Sequence, residues 1–271
     1  MNFIELLKYI FLGFVQGFTE TIPVSSSGHL MIVKFLMNLN IDFDTLAIIT
    51  NFGSLLAILI LFRKDILELI KSFFGYLKTK NKEYQDGYRY CWLIVLGCIP
   101  AGLMGLVVSK LDLFAKIESN IKIVGVSLII TAILLFVIRN FKGKKEDKNL
   151  TLKNAVIVGL FQIIGLFPGI SRSGSTIVGG LTQDMKRDTA FKYSFMLYIP
   201  MSLAAMALEI GDLLKSSISV ETWIYYLVAM LVAAVVTFLV TKWFRSIVNK
   251  GKLIYFSIYC AVIGSLVIIF L

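Results

Sequence analysis

Two short polar clusters interrupt long apolar stretches of this chain, and their residue types suit phosphate chemistry. In the first cluster, Gln16 and Glu20 lie four residues apart, so a helix presents both on one face. Pro23-Val24-Ser25-Ser26-Ser27-Gly28-His29 follows them. A carboxylate inside an apolar segment is costly and marks a functional site by default. The bland alternative is a solvated helix end beside Pro23. The serines open a short helical arm whose free N–H groups and dipole end attract an anion. Serine is also simply a good N-cap, but three in a row with Gly28 exceed what a cap needs. His29 is the only histidine in the chain and can donate or accept a proton. A lone histidine is otherwise a satisfied structural residue. The second cluster is Pro168-Gly169-Ile170-Ser171-Arg172-Ser173-Gly174-Ser175, followed by Thr176. Arg172 is the only basic residue in either turn, and its planar fork suits phosphate oxygens. A structural ion pair with Glu20 is the competing reading. Ser171, Ser173 and Thr176 surround Arg172 with hydroxyls, while Gly169 and Gly174 permit close backbone approach, as in an anion cradle.

The elements that must hold these clusters belong in a bilayer. Of 271 residues, 58% are hydrophobic and 16% charged, too little polar surface to cover a water-soluble core. The formal net charge of +10 sits in loops, which fits a membrane topology signal rather than nucleic-acid binding. Cys91, Cys98 and Cys260 lie in or beside apolar runs without metal-ligand spacing. The N-terminal stretch lacks the basic region and cleavage site of a signal peptide. Apolar segments at about 45–62, 91–109, 121–138, 223–241 and 253–271 predict spans. A sixth, about 190–210, carries Lys192 and Glu209 near its ends, within reach of an interface. Gly53, Gly97, Ala101, Gly102 and Gly105 favour close helix packing. Residues 3–39 and 153–182 are broken by the two clusters and read as re-entrant hairpins.

The clusters also resemble each other. Ser25, Ser27 and Gly28 fall on Ser171, Ser173 and Gly174 at a constant offset of 146. We read one integral domain over 1–271, built from a first repeat (1–140) and a second (147–271). Three crossings per copy make the second copy inverted. The loops 63–90, 139–153, 183–192 and 242–252 carry seven, six, three and four Lys/Arg. Segments 110–122 and 211–222 carry three and one. The rich loops fall on one side, which makes that side cytoplasmic and puts both termini outside. The expected fold is thus all-α and polytopic, with six spans and two oppositely inserted hairpins.

The runs QGFTETIPVSSSGH (16–29) and PGISRSGSTI (168–177) are similar to the two signature motifs of the undecaprenyl-diphosphatase family of the bacitracin-resistance type. The segment RDTAFKYSFMLYIP (187–200) is similar too, and the resemblance covers essentially the whole chain. It implies a cell-membrane phosphatase that converts undecaprenyl diphosphate to the monophosphate and recycles the carrier lipid for cell-wall polymers. It also implies a divalent cation, Mg²⁺ or Ca²⁺, held by Glu20 and Gln16. The family carries Glu or Gln at the first of these positions, so Gln16 leaves one carboxylate where two can stand. Mg²⁺ then draws on water and substrate phosphates for the rest of its shell. On this reading Glu20, Ser26, His29 and Arg172 are the catalytic residues, Arg172 as the phosphate clamp, while Gln16, Ser25, Ser27, Ser171, Ser173 and Thr176 bind the diphosphate. The attacking group is Ser26, which matches the family's nucleophile position, or a water activated near Glu20 and His29. A transporter for a lipid phosphate and a non-catalytic receptor for diphosphate lipids are the rival functions. The sequence leaves the oligomeric state open, a homodimer included.

Overall fold

The computed structural model describes residues 2–39, 41–111, 120–215 and 218–271. Among these it contains eleven α-helices and no strand beyond a single bridge between Lys145 and Met185. They are α1 (Phe3–Thr21), α2 (Ser26–Met37), α3 (Phe43–Leu61), α4 (Arg63–Thr79), α5 (Gln85–Leu111) and α6 (Ile121–Ile138). The rest are α7 (Leu152–Ile164), α8 (Arg172–Thr182), α9 (Arg187–Lys215), α10 (Val220–Asn249) and α11 (Ile254–Phe270).

Among the described residues, five helices are long and apolar enough to cross a membrane: α3, α5, α6, α9 as far as Glu209, and α10. The sixth expected span, α11, has 17 residues. It rises about 25 Å, short of the ~30 Å hydrocarbon thickness. Apolar side chains line the outside. On α10, Leu231, Val235 and Leu239 recur every fourth residue and are each about 60% exposed. Such a stripe is unfavourable in water and natural against lipid.

The region 63–90 is not the loop its charge density implied. Most of it is α4, whose Leu67, Ile70, Phe74 and Leu77 form one exposed apolar face. Ionic contacts tie this layer to the bundle: Lys192 of α9 contacts Asp65 of α4 at 2.6 Å and Asp147 at 3.1 Å. Lys192 is therefore engaged within the protein rather than reaching outward. The polar run 184–188 also pairs, with Asp188 gripped by Arg245 through two bonds of 2.8 and 2.9 Å. Parts of segments 110–122 and 211–222 lie outside the described residues.

The two broken segments each form a helix, a turn and a short helix: α1–α2 and α7–α8. Their following arms hold 12 and 11 residues. α1 packs on α10 and α3, α7 packs on α5, and α6 packs along α11. The α1–α10 seam is closed by small residues. A methyl group added at Gly13 would lie 2.3 Å from the Ala229 carbonyl oxygen. Gly53 and Gly97 are similarly pressed against Met230 and Tyr193, but Gly102 and Gly105 face open space and carry no packing role. Gly13→Leu must push α1 off α10. We expect a loss of about 1–3 kcal/mol, read as a lower thermal midpoint in detergent, with Gly102→Leu neutral as control.

Candidate active site

The two turns meet. A methyl group at Gly28 would sit 3.0 Å from the Gly169 Cα, and one at Gly174 would sit 3.1 Å from Pro23. Ser173 Oγ also donates to the Ile22 carbonyl at 3.4 Å. Residues 141 to 151 positions apart thus come into contact because glycine allows the backbones to approach.

Each short arm is capped by its first serine. Ser25 Oγ accepts from the Gly28 N–H at 3.3 Å and Ser171 Oγ from the Gly174 N–H at 3.0 Å. The third residue of each run bonds back to the cap, Ser27 to Ser25 at 3.3 Å and Ser173 to Ser171 at 3.2 Å. Capping therefore accounts for Ser25 and Ser171, the bland half of the sequence reading. It leaves Ser26 free for another partner.

That partner is Glu20. Ser26 Oγ donates to Glu20 Oε2 at 2.5 Å, and Gln16 Nε2 donates to the same oxygen at 2.9 Å. The other oxygen, Oε1, accepts from Arg172 Nη2 at 2.9 Å. The Glu20 side chain is 8% exposed and that of Arg172 26%. The structural ion pair between Arg172 and Glu20 is thus present. It also lies in a cleft of about 830 Å³ that Gln16, Glu20, Ser26 and Arg172 all line, a volume in the range of ligand sites. Ser25, Ser27, Ser171, Ser173 and Thr176 line the same cleft.

Two expected site residues are otherwise engaged. Thr176 is buried, its hydroxyl donating to the Arg172 carbonyl at 3.0 Å and meeting Ser194 Oγ at 2.6 Å. It braces α8 and has no free donor for a ligand. His29 does not line the cleft. Its Nδ1 meets the Ser25 carbonyl and its Nε2 meets Tyr259 Oη, both at 2.8 Å.

Other residues went unread. The Tyr198 ring lies under the Arg172 guanidinium at 4.5 Å, Ser202 Oγ is 3.5 Å from Nη1, and Tyr198 Oη donates to Asn51 Oδ1 at 2.9 Å. Tyr198 falls in the 187–200 stretch, the one signal available for it. Glu209, expected at an interface, lines the cleft with Asp42 and Asp44.

For a divalent cation, the Glu20 carboxylate beside Ser26 is one ligand, and Gln16, whose Nε2 faces Glu20, can add only its amide oxygen. No cluster of three His, Cys, Asp or Glu capable of holding a metal occurs among the described residues. This sparse set fits a cation that arrives with, and is largely held by, substrate phosphates and water. It does not fit a tightly held resident metal.

Comparison with known proteins identifies the family. The family described as bacitracin resistance protein BacA matches residues 9–266. Undecaprenyl-diphosphatase 1 of Bacillus licheniformis is 42% identical over 270 residues, covering 100% of both chains. Undecaprenyl-diphosphatase 2 of Bacillus thuringiensis is 41% identical, covering 100% of this chain and 99% of its own. Undecaprenyl-diphosphatase of Oceanobacillus iheyensis is 41% identical over 271 residues, covering 98% of its own length. Matched end to end at this identity, and carrying both polar turns in contact, the chain belongs to the BacA bacitracin resistance family.

Proposed function

We propose that this chain is an integral membrane phosphatase that hydrolyses undecaprenyl diphosphate to undecaprenyl phosphate and inorganic phosphate. It thereby recycles the carrier lipid for cell-wall synthesis and gives bacitracin resistance. The observation that carries the reading is the convergence of Ser26 and Arg172 on the two oxygens of Glu20.

The chemistry follows from that convergence. The lipid tail stays in the membrane and the diphosphate enters the cleft. Glu20 takes the Ser26 proton as Oγ attacks the terminal phosphorus. A P–Oγ bond forms, the bridging P–O bond breaks, and its electron pair leaves on undecaprenyl phosphate. Protonation of Glu20 weakens its hold on Arg172, which frees the guanidinium for the phosphoryl oxygens as their charge spreads. Glu20 gives the Ser26 proton to the departing lipid phosphate and is ionised again. It then draws a proton from the water that attacks the phosphoserine, and passes that proton to Ser26 Oγ as the P–Oγ bond breaks and inorganic phosphate leaves. A Mg²⁺ or Ca²⁺ held by Glu20, Gln16 and the substrate itself would offset diphosphate charge. Ser25, Ser27, Ser171 and Ser173, with the N–H groups opening α2 and α8, bind the remaining oxygens.

The finer architecture is part of the proposal: six spans, two re-entrant hairpins and an inverted repeat, with both termini outside. The reciprocal packing supports it. α1 packs on α10 as α7 packs on α5, and Gly13 and Gly159, 146 positions apart, each sit in one of these two seams.

Purified protein given undecaprenyl diphosphate with a ³²P-labelled terminal phosphate tests the reaction. We expect released phosphate, transient label on Ser26, and neither in Ser26→Ala. Full activity in Ser26→Ala would sink the nucleophile. Absence of phosphate release with any divalent ion would sink the enzyme, leaving lipid movement without hydrolysis.

A further inference from the structure

Ser26 is presented by a strained turn. Ser25, immediately before it, has φ 71° and ψ 102°, a left-handed conformation that a residue with a Cβ rarely adopts. Capping does not require this. Ser171 caps α8 through the same bond with an ordinary φ of −70°. The strain belongs to the first turn alone, the turn whose next residue reaches Glu20.

Something must hold that conformation. The Ser25 carbonyl accepts from the His29 backbone N–H at 3.2 Å and also contacts His29 Nδ1 at 2.8 Å. A carbonyl oxygen only accepts, so Nδ1 carries the hydrogen. Nε2 then has the lone pair and accepts from Tyr259 Oη at 2.8 Å. The two rings lie within 10° of parallel, so α11 buttresses the imidazole in one orientation. In the second half the position 146 residues beyond His29 is Ser175, whose hydroxyl is buried without a partner. The unstrained turn has no such brace.

We infer that His29 and Tyr259 are a positioning pair that locks the Ser25 carbonyl, and so aims the Ser26 hydroxyl at Glu20, without either touching substrate. This rests on Ser26 as nucleophile. His29 therefore acts as one fixed tautomer, a donor through Nδ1, and moves no proton during turnover.

Because His29 is the only histidine, ¹⁵N-histidine labelling gives one imidazole to read by NMR. We expect the Nδ1–H tautomer, with the Nε2 resonance alone displaced in Tyr259→Phe. In kinetics, Tyr259→Phe should lower kcat about 3- to 10-fold, the worth of one hydrogen bond, with KM unchanged. His29→Asn places an amide N–H where Nδ1–H stood. It should recover at least about 10-fold of the activity lost in His29→Ala, and adding Tyr259→Phe to it should cost nothing more. An Nε2–H tautomer overturns the inference, and so does His29→Asn as inactive as His29→Ala, because asparagine cannot relay a proton. The tautomer is read without turnover. Failure of this pair is thus separable from failure of Ser26, which shows only in label trapping.

Discussion

Glu20→Gln will lower kcat for phosphate release by about 10²- to 10⁴-fold, the usual contribution of a positioned general base. Glutamine keeps the shape of the side chain, so α1 and its seam with α10 stay intact. What it loses is the capacity to take the Ser26 proton across the 2.5 Å contact. It also removes the charge facing Arg172. Breaking a buried pair is often severe, about 3–5 kcal/mol, because the surviving charge is stranded. Here Arg172 keeps 26% exposure and the Tyr198 ring, so the stability loss should be smaller. The freed guanidinium is also no longer shared between Glu20 and the diphosphate. KM should therefore hold steady or fall while kcat collapses, the pattern of an interaction used mainly in the transition state. A raised KM with little change in kcat would assign Glu20 to binding. Recovery of kcat at high Mg²⁺ would assign it to holding the cation.

How much of this was legible depends on the physics each feature obeys. The six apolar segments were readable because a bilayer demands long uncharged runs, and all six are helical, α11 merely shorter. Glu20 and Arg172 were readable because a charge in such a run is expensive. Ser26 was singled out only by the resemblance, since capping theory marks the run of three serines as excessive without saying which one is spare. α4 was not readable in the same way. Its Lys and Glu are spread so evenly among Leu, Ile and Phe that composition gave a charged loop, whereas its 3.6-residue period segregates them. The Arg172 surroundings were hidden for a different reason. Tyr198, Ser202 and Asn51 are ordinary residues in apolar helices, brought to the site by packing between segments up to 147 residues apart. His29 was found, but its partners were not. Its place after three serines and a glycine made it a candidate proton donor or acceptor, while the turn of α2 aims its ring at α11. The conformation of Ser25 had no signal at all, since positive φ is announced by glycine or asparagine and serine announces the opposite.

Arg172→Lys will lose on the order of 10²- to 10³-fold in kcat/KM although it preserves the charge, and Arg172→Ala somewhat more. The guanidinium has three attachments that a lysine ammonium cannot reproduce together. Nη2 bonds Glu20, Nη1 reaches Ser202, and the flat face lies on Tyr198 at 4.5 Å. The ring fixes the plane of the fork, and the fork's remaining N–H groups then have a defined direction in the cleft. The substituted ammonium would be a point charge on a flexible stem, free to collapse onto Glu20 and hold the base ionised in a tight pair. Proton transfer from Ser26 would become harder as well as phosphate binding weaker, so both kcat and KM should suffer. Tyr198→Phe provides the graded control. It keeps the face under Arg172 and drops the hydroxyl with its bond to Asn51 and its contacts to Ser202 and Arg172, so its loss should stay near 10-fold. If Arg172→Lys instead retains activity within about threefold, charge alone suffices. The planar clamp, and with it the need for Tyr198 beneath it, would then have to be given up.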